Sequence, residues 1–464
     1  MKGLLKLSAA VGVGVVAGAA LSGCVHNPTT DAKPLVRDLQ SGHVLQQHGE
    51  TFGTDARNYQ SADQQFTNRS SRVSNYHVST PPAPQVPTTK NYRDPALSNA
   101  DIIFIGAGTF EDDGTNRPAN DPETAPILNG LGNQSSQDHL RAMTEEFFKQ
   151  VSAANPQIKA RVVTGTERGL IGKNLDRTVL ATIAFNNVSI ISSAPGSGGG
   201  KQVFVSLPLF LVSAKSYHLI YTRPLFVRIR LEAGVTPSDP EIIRRILAEA
   251  RAALLAGLND PREIALAAAA LQRGAFRDPN HLVYAVEEDS VTFSEKARSG
   301  QTGFSQASTV TPLLRDALSH FLARTEIVFP PIQAAVSSRL YRGLGASYYG
   351  LAVVTDLLMP QGFPTTDSGR IILPVSRVEA DIRVKAHVKT GVRVTEQAPL
   401  FSAGVCQVLL ELSALNRDGT TLQSIQRIQD GGFTVRRDPA AHADQECLME
   451  SLLACASQLK EGFK

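Results

Sequence analysis

The pattern of apolar and polar residues divides the chain into three parts. Residues 1–23 contain a short apolar run, and residues 24–98 are rich in Asn, Gln, Ser, Thr, Asp and Pro without a sustained period. Such a segment cannot bury enough apolar surface to order itself, so it is predicted to be a tether. Regular patterning starts at Asp101–Ile105, which has the apolar composition of a buried strand.

The folded part is predicted to be α+β. An α/β domain is expected at 99–235, with a helix over 136–151 and several strands, among them Gln202–Val212. A helical region at 236–345 includes a helical hairpin, because polar caps precede Pro240 and Pro261. A strand meander and a covering C-terminal helix are expected at 346–464. The remaining predicted elements are helices after Pro312 and Pro331 and over 439–460, and strands over 404–415 and 420–428, which flank a hairpin turn at 416–419.

The run Val378–Lys389 alternates strictly between apolar and polar residues. The favoured interpretation is an antiparallel strand with one face packed on the core and the other exposed to solvent. The alternative is a strand that each subunit of an oligomer contributes to a shared transmembrane barrel, with its apolar side facing lipid. The sequence leaves open whether this strand enters a membrane.

The N-terminus has the form of a secretory signal peptide, with Lys2 and Lys6 before a short apolar region. It ends in Leu21-Ser22-Gly23-Cys24, which resembles the lipobox of bacterial lipoproteins. The resemblance implies cleavage before Cys24, acylation of its sulfur and anchoring to a bilayer. The usual inner-membrane retention signal of that family is aspartate at the second position, and it is absent here, because Val25 and His26 follow Cys24. The resemblance therefore implies the periplasmic face of the outer membrane.

Composition and charge exclude some classes of protein, among them nucleic-acid-binding proteins and disulfide-dense scaffolds. The chain is 42% hydrophobic, which permits a packed core. Removing Lys2 and Lys6 from its 46 basic residues leaves 44 against 43 acidic residues, so no basic footprint for nucleic acid is expected. Four cysteines exclude a disulfide-dense scaffold. With Cys24 assigned to the lipid, Cys406 is expected to pair with either Cys447 or Cys455, since the last two lie too far apart on one helix to bridge.

No motif predicts catalysis, a cofactor or a metal. The loop ending in Lys201 lacks the first glycine and the hydroxyl residue of a phosphate loop, and Gly106-Ala107-Gly108 has Glu111 where a dinucleotide fingerprint needs glycine. The acidic loop 111–123 does not have the spacing of an EF-hand. Histidines are scattered, without a companion at ligand spacing. We therefore expect a non-enzymatic protein without cofactor or metal.

Residues 101–163 loosely resemble the periplasmic α/β domain of curli-type secretion lipoproteins, in which a lipidated cysteine precedes a strand, a polar loop, a helix and a strand. The expected function is a structural or assembly component of an envelope machine for secretion, pili or surface polymers, with other envelope proteins as partners. One alternative, implied by the resemblance, is a homo-oligomeric export pore. Another is a periplasmic enzyme whose site is assembled from distant residues.

Overall fold

The computed structural model describes most of the chain after residue 96. The described residues are 97–109, 124–163, 175–192, 201–231, 240–256, 261–287, 290–298, 304, 307–332, 348–353, 371–376, 378–397, 401–436, 443–461 and 463. The signal peptide, Cys24 and the tether lie outside them, as do the acidic loop 111–123, the Gly/Ser loop 193–200 and the helix predicted over 331–342, apart from its first two residues. The architecture of the described part is α+β, as predicted.

A mixed seven-stranded sheet forms the first layer. Its order is β13-β12-β1-β3-β6-β7, and the short β2 also pairs with β1. β1 is parallel to β2 and β3, whereas the other neighbours are antiparallel. The central strands are apolar almost throughout because both of their faces are buried. The strands are β1 Asp101–Thr109, β2 Arg161–Val162, β3 Thr178–Phe185, β6 Leu209–Ser213, β7 Leu219–Arg223, β12 Tyr348–Val353 and β13 Ile371–Ser376.

Four helices share a hydrophobic core with one face of this sheet: α1 Ala125–Leu131, α2 Gln134–Ala154, α3 Pro240–Ala256 and α4 Pro261–Arg273. The predicted helix over 136–151 is confirmed and extends by a few residues at each end, capped by Asn133, whose Oδ1 accepts from Ser136 N at 2.9 Å. Pro240 and Pro261 begin α3 and α4 as predicted. Both helices pack against α2.

A three-stranded antiparallel sheet contains β4 Asn187–Ser192, β5 Lys201–Ser206 and β8 Phe226–Leu231. The single strand predicted over Gln202–Val212 is wrong. The chain leaves one sheet after Ser206 and enters another at Leu209, because Pro208 has no N–H to donate to a ladder.

A six-stranded sheet forms the last layer, in the order β11-β9-β14-β15-β16, with β10 also paired to β14. Its strands are β9 Val283–Ala285, β10 Val291–Phe293, β11 Ile327–Phe329, β14 Ile382–Gln397, β15 Phe401–Leu415 and β16 Thr421–Arg436. One face shares a core with α6 Ala307–Leu322 and α7 Ala443–Ser457, to which the short α5 Glu295–Arg298 also contributes. Short 3₁₀ helices occupy Leu175–Arg177 and Gln458–Glu461.

Three boundaries differ from the sequence predictions. α6 begins at Ala307, before Pro312 instead of after it, so this proline lies inside the helix, where it cannot donate an intrahelical hydrogen bond. β16 continues to Arg436, eight residues beyond its predicted end, since its pairing with β15 persists through Gly431 and Gly432. β12 and β13 belong to the sheet of the first layer even though they lie within 346–464, so the sheets do not follow the linear division of the chain.

Candidate functional site

The longest strands of the molecule, β14, β15 and β16, form an antiparallel ribbon. We use "the ribbon" for these three strands, which span 382–397, 401–415 and 421–436. The predicted hairpin turn at 416–419 is confirmed, with Gly419 at φ 87° and its N–H donating to Asn416 O at 3.1 Å. Glycine adopts that φ without strain because it has no Cβ, which explains why glycine stands at this position of the turn. The ribbon therefore presents two broad faces and one edge.

The inner face of the ribbon is apolar and covered. The alternation predicted for Val378–Lys389 is confirmed from Ile382 onward, because the side chains of Ile382, Val384, Ala386 and Val388 are buried whereas their neighbours point outward. The first residues of the predicted run precede β14. The buried residues from β14 and β15 share one core with α6 and α7. This arrangement matches the favoured interpretation, a strand with one face packed on the core and the other exposed to solvent.

Cysteines join α7 to the ribbon. Cys406 on β15 and Cys447 on α7 form a disulfide with a Cα–Cα distance of 6.0 Å. Cys455 is a buried free thiol in the same helix, and its Sγ lies 3.5 Å from Arg427 O. Burial raises the pKa of the Cys455 thiol to about 12, so it stays protonated and unreactive. The disulfide fixes the ribbon to its covering helix.

Two further anchors hold the ribbon in the molecule. Glu450 on α7 forms a bidentate ion pair with Arg228 of β8, whose Nε also donates to Gln202 Oε1 at 2.8 Å. At the base of the ribbon, Asp381 accepts from Val283 N at 3.1 Å and from Arg277 NH1 at 2.9 Å. Burial acts to raise the pKa of Asp381, but these hydrogen bonds outweigh it and hold the pKa below its usual range. The ribbon is thus attached to neighbouring elements at both of these places.

The outer face of the ribbon is mainly polar, apart from exposed apolar residues such as Leu422 and Ile428, and several side-chain contacts connect its strands. Lys389 Nζ lies 2.7 Å from Glu411 Oε1, and the same oxygen accepts from Gln426 Nε2 at 3.0 Å. Gln407 Nε2 donates to Asp430 Oδ1 at 2.8 Å across β15 and β16. Pairs of this kind stabilise a solvated sheet face and fix its register.

β16 is the open edge of this sheet. Among the described residues no strand pairs with its outer side. Natural edge strands are commonly short or protected by Lys or Pro, yet β16 is sixteen residues long and contains neither. Two large apolar side chains on it, Leu422 and Ile428, are each 57% exposed. A long edge strand with exposed apolar residues is a template for pairing with another strand.

A second candidate is a buried polar cluster between α4, α6 and β7. Arg223 forms an ion pair with Glu263, and each side chain is only 1% exposed. Arg223 NH1 also donates to Pro224 O at 3.0 Å and to His320 O at 3.1 Å. His320 Nδ1 lies 3.1 Å from Pro224 O, which assigns the proton to Nδ1 because a carbonyl can only accept. Burial lowers the pKa of His320 to about 3, and the charge of Arg223 adds to this, so the ring is neutral.

Asp316, on the same helix as His320, faces the three-stranded sheet. Asn187 Nδ2 lies 3.4 Å from Asp316 Oδ2, and Ser206 forms a further hydrogen bond to this carboxyl. Burial raises the pKa of Asp316 to about 6, against the lowering effects of Arg315 and of these hydrogen bonds. Titratable groups with pKa values shifted apart are typical of acid–base sites, but here they are sealed within the core.

A cavity close to this cluster is small. It has a volume of about 20 Å³ and lies between α4, β7 and β11, with Arg273 and Glu326 among its lining residues. That volume admits a water molecule, whereas small-molecule sites span about 300–1,000 Å³. Among the described residues, no group of three His, Cys, Asp or Glu side chains could hold a metal ion. The polar cluster is therefore best explained as internal structure.

The remaining candidates from the sequence are dispersed. Gly106 lies within β1, at φ 120°, where the pairing with β3 shifts register. His139 and His387 make local contacts, to Ser135 O at 2.8 Å and Thr292 Oγ1 at 2.9 Å. Sequence reasoning missed the Arg223–Glu263 pair, because the two residues belong to different predicted elements and carry no motif. It also missed the open edge, whose available signal was the absence of Lys and Pro between residues 420 and 438.

No helix in the part of the chain that the structure describes is both long and apolar enough to cross a bilayer. Comparison with known proteins gives no family: no family model matches the chain, and no curated protein matches it. One solved structure that matches is described as a neuraminyllactose-binding hemagglutinin homolog from Helicobacter pylori. It is 11% identical, the match covers 39% of this chain and 84% of that one, and the TM-score is 0.19. A likeness of that size carries no argument about fold or function.

Proposed function

We propose that this chain is a lipid-anchored lipoprotein on the periplasmic face of the outer membrane, where it serves as a structural or assembly component of an envelope machine. The observation that carries the proposal is the ribbon, whose sixteen-residue strand β16 exposes Leu422 and Ile428 and has no strand on its outer side among the described residues. An edge of this kind offers backbone hydrogen bonds and apolar contact to a protein partner.

Two further features support this proposal. The Cys406–Cys447 disulfide suits an oxidising compartment such as the periplasm. The lipobox-like Leu21–Cys24 would attach the chain to a bilayer, and residues 25–98 would give the folded body reach. Envelope proteins are therefore the partner class that this surface would meet.

The anchoring half of the proposal is tested by metabolic labelling with a palmitate analogue, followed by membrane fractionation. The chain is expected to carry label and to remain in the outer-membrane fraction, and Cys24→Ser is expected to lose both. Cys455→Ala is the control, because it removes a buried thiol outside the lipobox-like sequence and should keep the label. Retention of label and membrane association by Cys24→Ser would overturn the anchoring.

The docking half is tested in cells with a photo-crosslinking residue at position 422. Adducts with envelope proteins are expected there, and Ile428→Lys on the same edge should abolish them. Leu282 is the matched control position, since its side chain is 51% exposed but lies outside the ribbon. Adducts that are equal at 422 and 282, or that survive Ile428→Lys, would argue against the ribbon as the docking surface.

A further inference from the structure

The exposed residues of β16 are spaced so that the strand complements itself. Leu422 and Ile428 are six residues apart and lie on the same face, with Ile425 midway between them on the opposite face. In an antiparallel pair of identical strands, the residues facing each other are those equidistant from the twofold axis. An axis through Ile425 therefore places Leu422 of each copy opposite Ile428 of the other.

We propose that two copies of this chain pair antiparallel through β16 about Ile425, so that their six-stranded sheets become one continuous sheet. The inference rests on the proposed role of the ribbon as a docking surface and names a second copy as its occupant. It makes two Leu422–Ile428 contacts on the outer face and one Ile425–Ile425 contact on the inner face. Both of the apolar side chains that β16 exposes most thereby gain a partner.

Neighbouring registers are less favourable on chemical grounds. An axis through Arg427 would place two guanidinium groups opposite each other, and an axis through Asp430 would do the same with two carboxylates. An axis through Gln429 would set Ile428 against Asp430. Like charges directly opposite are destabilising, as is an apolar residue that faces a carboxylate.

The axis through Ile428 is the closest competitor, because it pairs that side chain with itself. It leaves Leu422 opposite the polar Thr434, however, so that only one apolar contact forms on the outer face. With the axis at Ile425, the charged Arg427 faces Gln423 and Asp430 faces Thr420, and no like charges meet. Apolar matching and charge therefore favour the same register.

Attachment to a membrane would assist this pairing. Anchored copies share a thin layer at the bilayer surface, which raises their effective concentration and favours a contact of modest affinity. The tether would allow two bodies to turn until their edges meet. Within the described part of the chain, no strand has to leave the outer side of β16 for this pairing to form.

The test is oxidative cross-linking of full-length protein extracted in detergent, combined with light scattering for its mass. The unsubstituted chain is expected to be a dimer. Ile425→Cys should form a covalent dimer, because its two copies meet at the axis. Leu422→Cys and Ile428→Cys should each fail alone, whereas the double variant should cross-link. The double variant changes only exposed side chains, so the test does not depend on the half-buried Ile425.

Lysine substitution tests the same interface without cysteine chemistry. Leu422→Lys and Ile428→Lys are each expected to raise the dimer dissociation constant at least tenfold, and Leu282→Lys should leave it unchanged. A monomeric unsubstituted chain, or a covalent dimer from Ile428→Cys alone, would overturn the proposal. If the chain is monomeric while position 422 still yields adducts with other envelope proteins, the self-pairing fails and the proposed function stands.

Discussion

Arg223 and Glu263 form an ion pair inside the hydrophobic layer between the seven-stranded sheet and α4, with both side chains 1% exposed. Arg223 ends β7 and Glu263 lies in the first turn of α4, so the pair joins sheet to helix. Removing one partner leaves the other charge buried and uncompensated, which is the costly case for a salt bridge. The pair is therefore a point where one substitution has a large effect.

Glu263→Gln is expected to lower the free energy of unfolding by about 3–5 kcal/mol, because it strands the Arg223 guanidinium. Equilibrium urea unfolding measures the loss. Glu146→Gln is the matched control: it breaks the solvent-accessible pair with Arg251 and should cost less than about 1 kcal/mol. If both variants lost the same stability, the buried pair would not have the energetic role assigned to it.

Burial of His320 makes the free energy of unfolding depend on pH in the acidic range. Its pKa is lowered by burial from 6.5 to about 3, so the unfolded chain binds a proton between these pH values and the folded chain does not. Its contribution is fully present above pH 6.5 and is lost as pH falls toward 3, by about 1.4 kcal/mol per pH unit. The unfolding free energy is measured with urea at pH 7, 6 and 5. Below pH 6.5, His320→Asn should reduce its slope against pH by the amount that corresponds to one bound proton, about 1.4 kcal/mol per pH unit. An unchanged slope would show that the ring is not buried in neutral form.

Asp316 has the opposite effect on the pH dependence of the unfolding free energy. Burial raises its pKa from 3.8 to about 6, so the folded chain binds the proton more tightly than the unfolded chain. Its stabilising contribution is present below pH 3.8 and is lost as pH rises through 6. Relative to the unsubstituted protein, Asp316→Asn should gain about 3 kcal/mol of stability between pH 4 and 7. The unfolding free energies of the unsubstituted protein and of Asp316→Asn, each measured at pH 4 and at pH 7, give this difference directly. A difference that does not change with pH would contradict the raised pKa.

The sequence predicted elements whose patterns are local. The stripe of α2 and the alternation of β14 are set by burial on one side, so they can be read without knowing the neighbour. The division at Pro208 and the place of β12 and β13 beside β1 depend on which sheet each segment joins, and that choice is made by long-range packing. Local periodicity carries no information about such partners.

The same distinction applies to the candidate site. Pairing of Cys406 with one of the two C-terminal cysteines could be anticipated, since helix geometry excludes a bridge between Cys447 and Cys455. Which of them pairs depends on how α7 lies across the ribbon, and the structure selects Cys447. The open edge of β16 is likewise a property of the assembled sheet, because only the strand order shows which strand is last.

The Cys406–Cys447 disulfide should stabilise the fold by restricting the unfolded chain. Its ends are 41 residues apart, for which loop-closure entropy predicts about 4 kcal/mol. Urea unfolding with and without reductant is expected to differ by about this amount. Cys455→Ala should show the same difference, because that thiol is not in the bridge. Cys447→Ser should be insensitive to reductant, and a residual sensitivity would point to a different pairing.

Gly431 of β16 lies opposite Cys406, beside the disulfide. A Cβ added there would lie 2.9 Å from Cys447 Sγ, closer than real Cβ atoms approach, and 3.0 Å from Ser451 Oγ, which is a tight contact. Gly431→Ala is therefore expected to cost about 1–3 kcal/mol, because either the strand or α7 must shift. The neighbouring Gly432 offers a matched control, since its nearest contact would be Gly404 O at 3.9 Å, and Gly432→Ala should change stability by less than about 0.5 kcal/mol. Thermal unfolding of both variants tests the packing of α7 on the ribbon, because equal melting temperatures would mean that α7 does not press on β16 at this point.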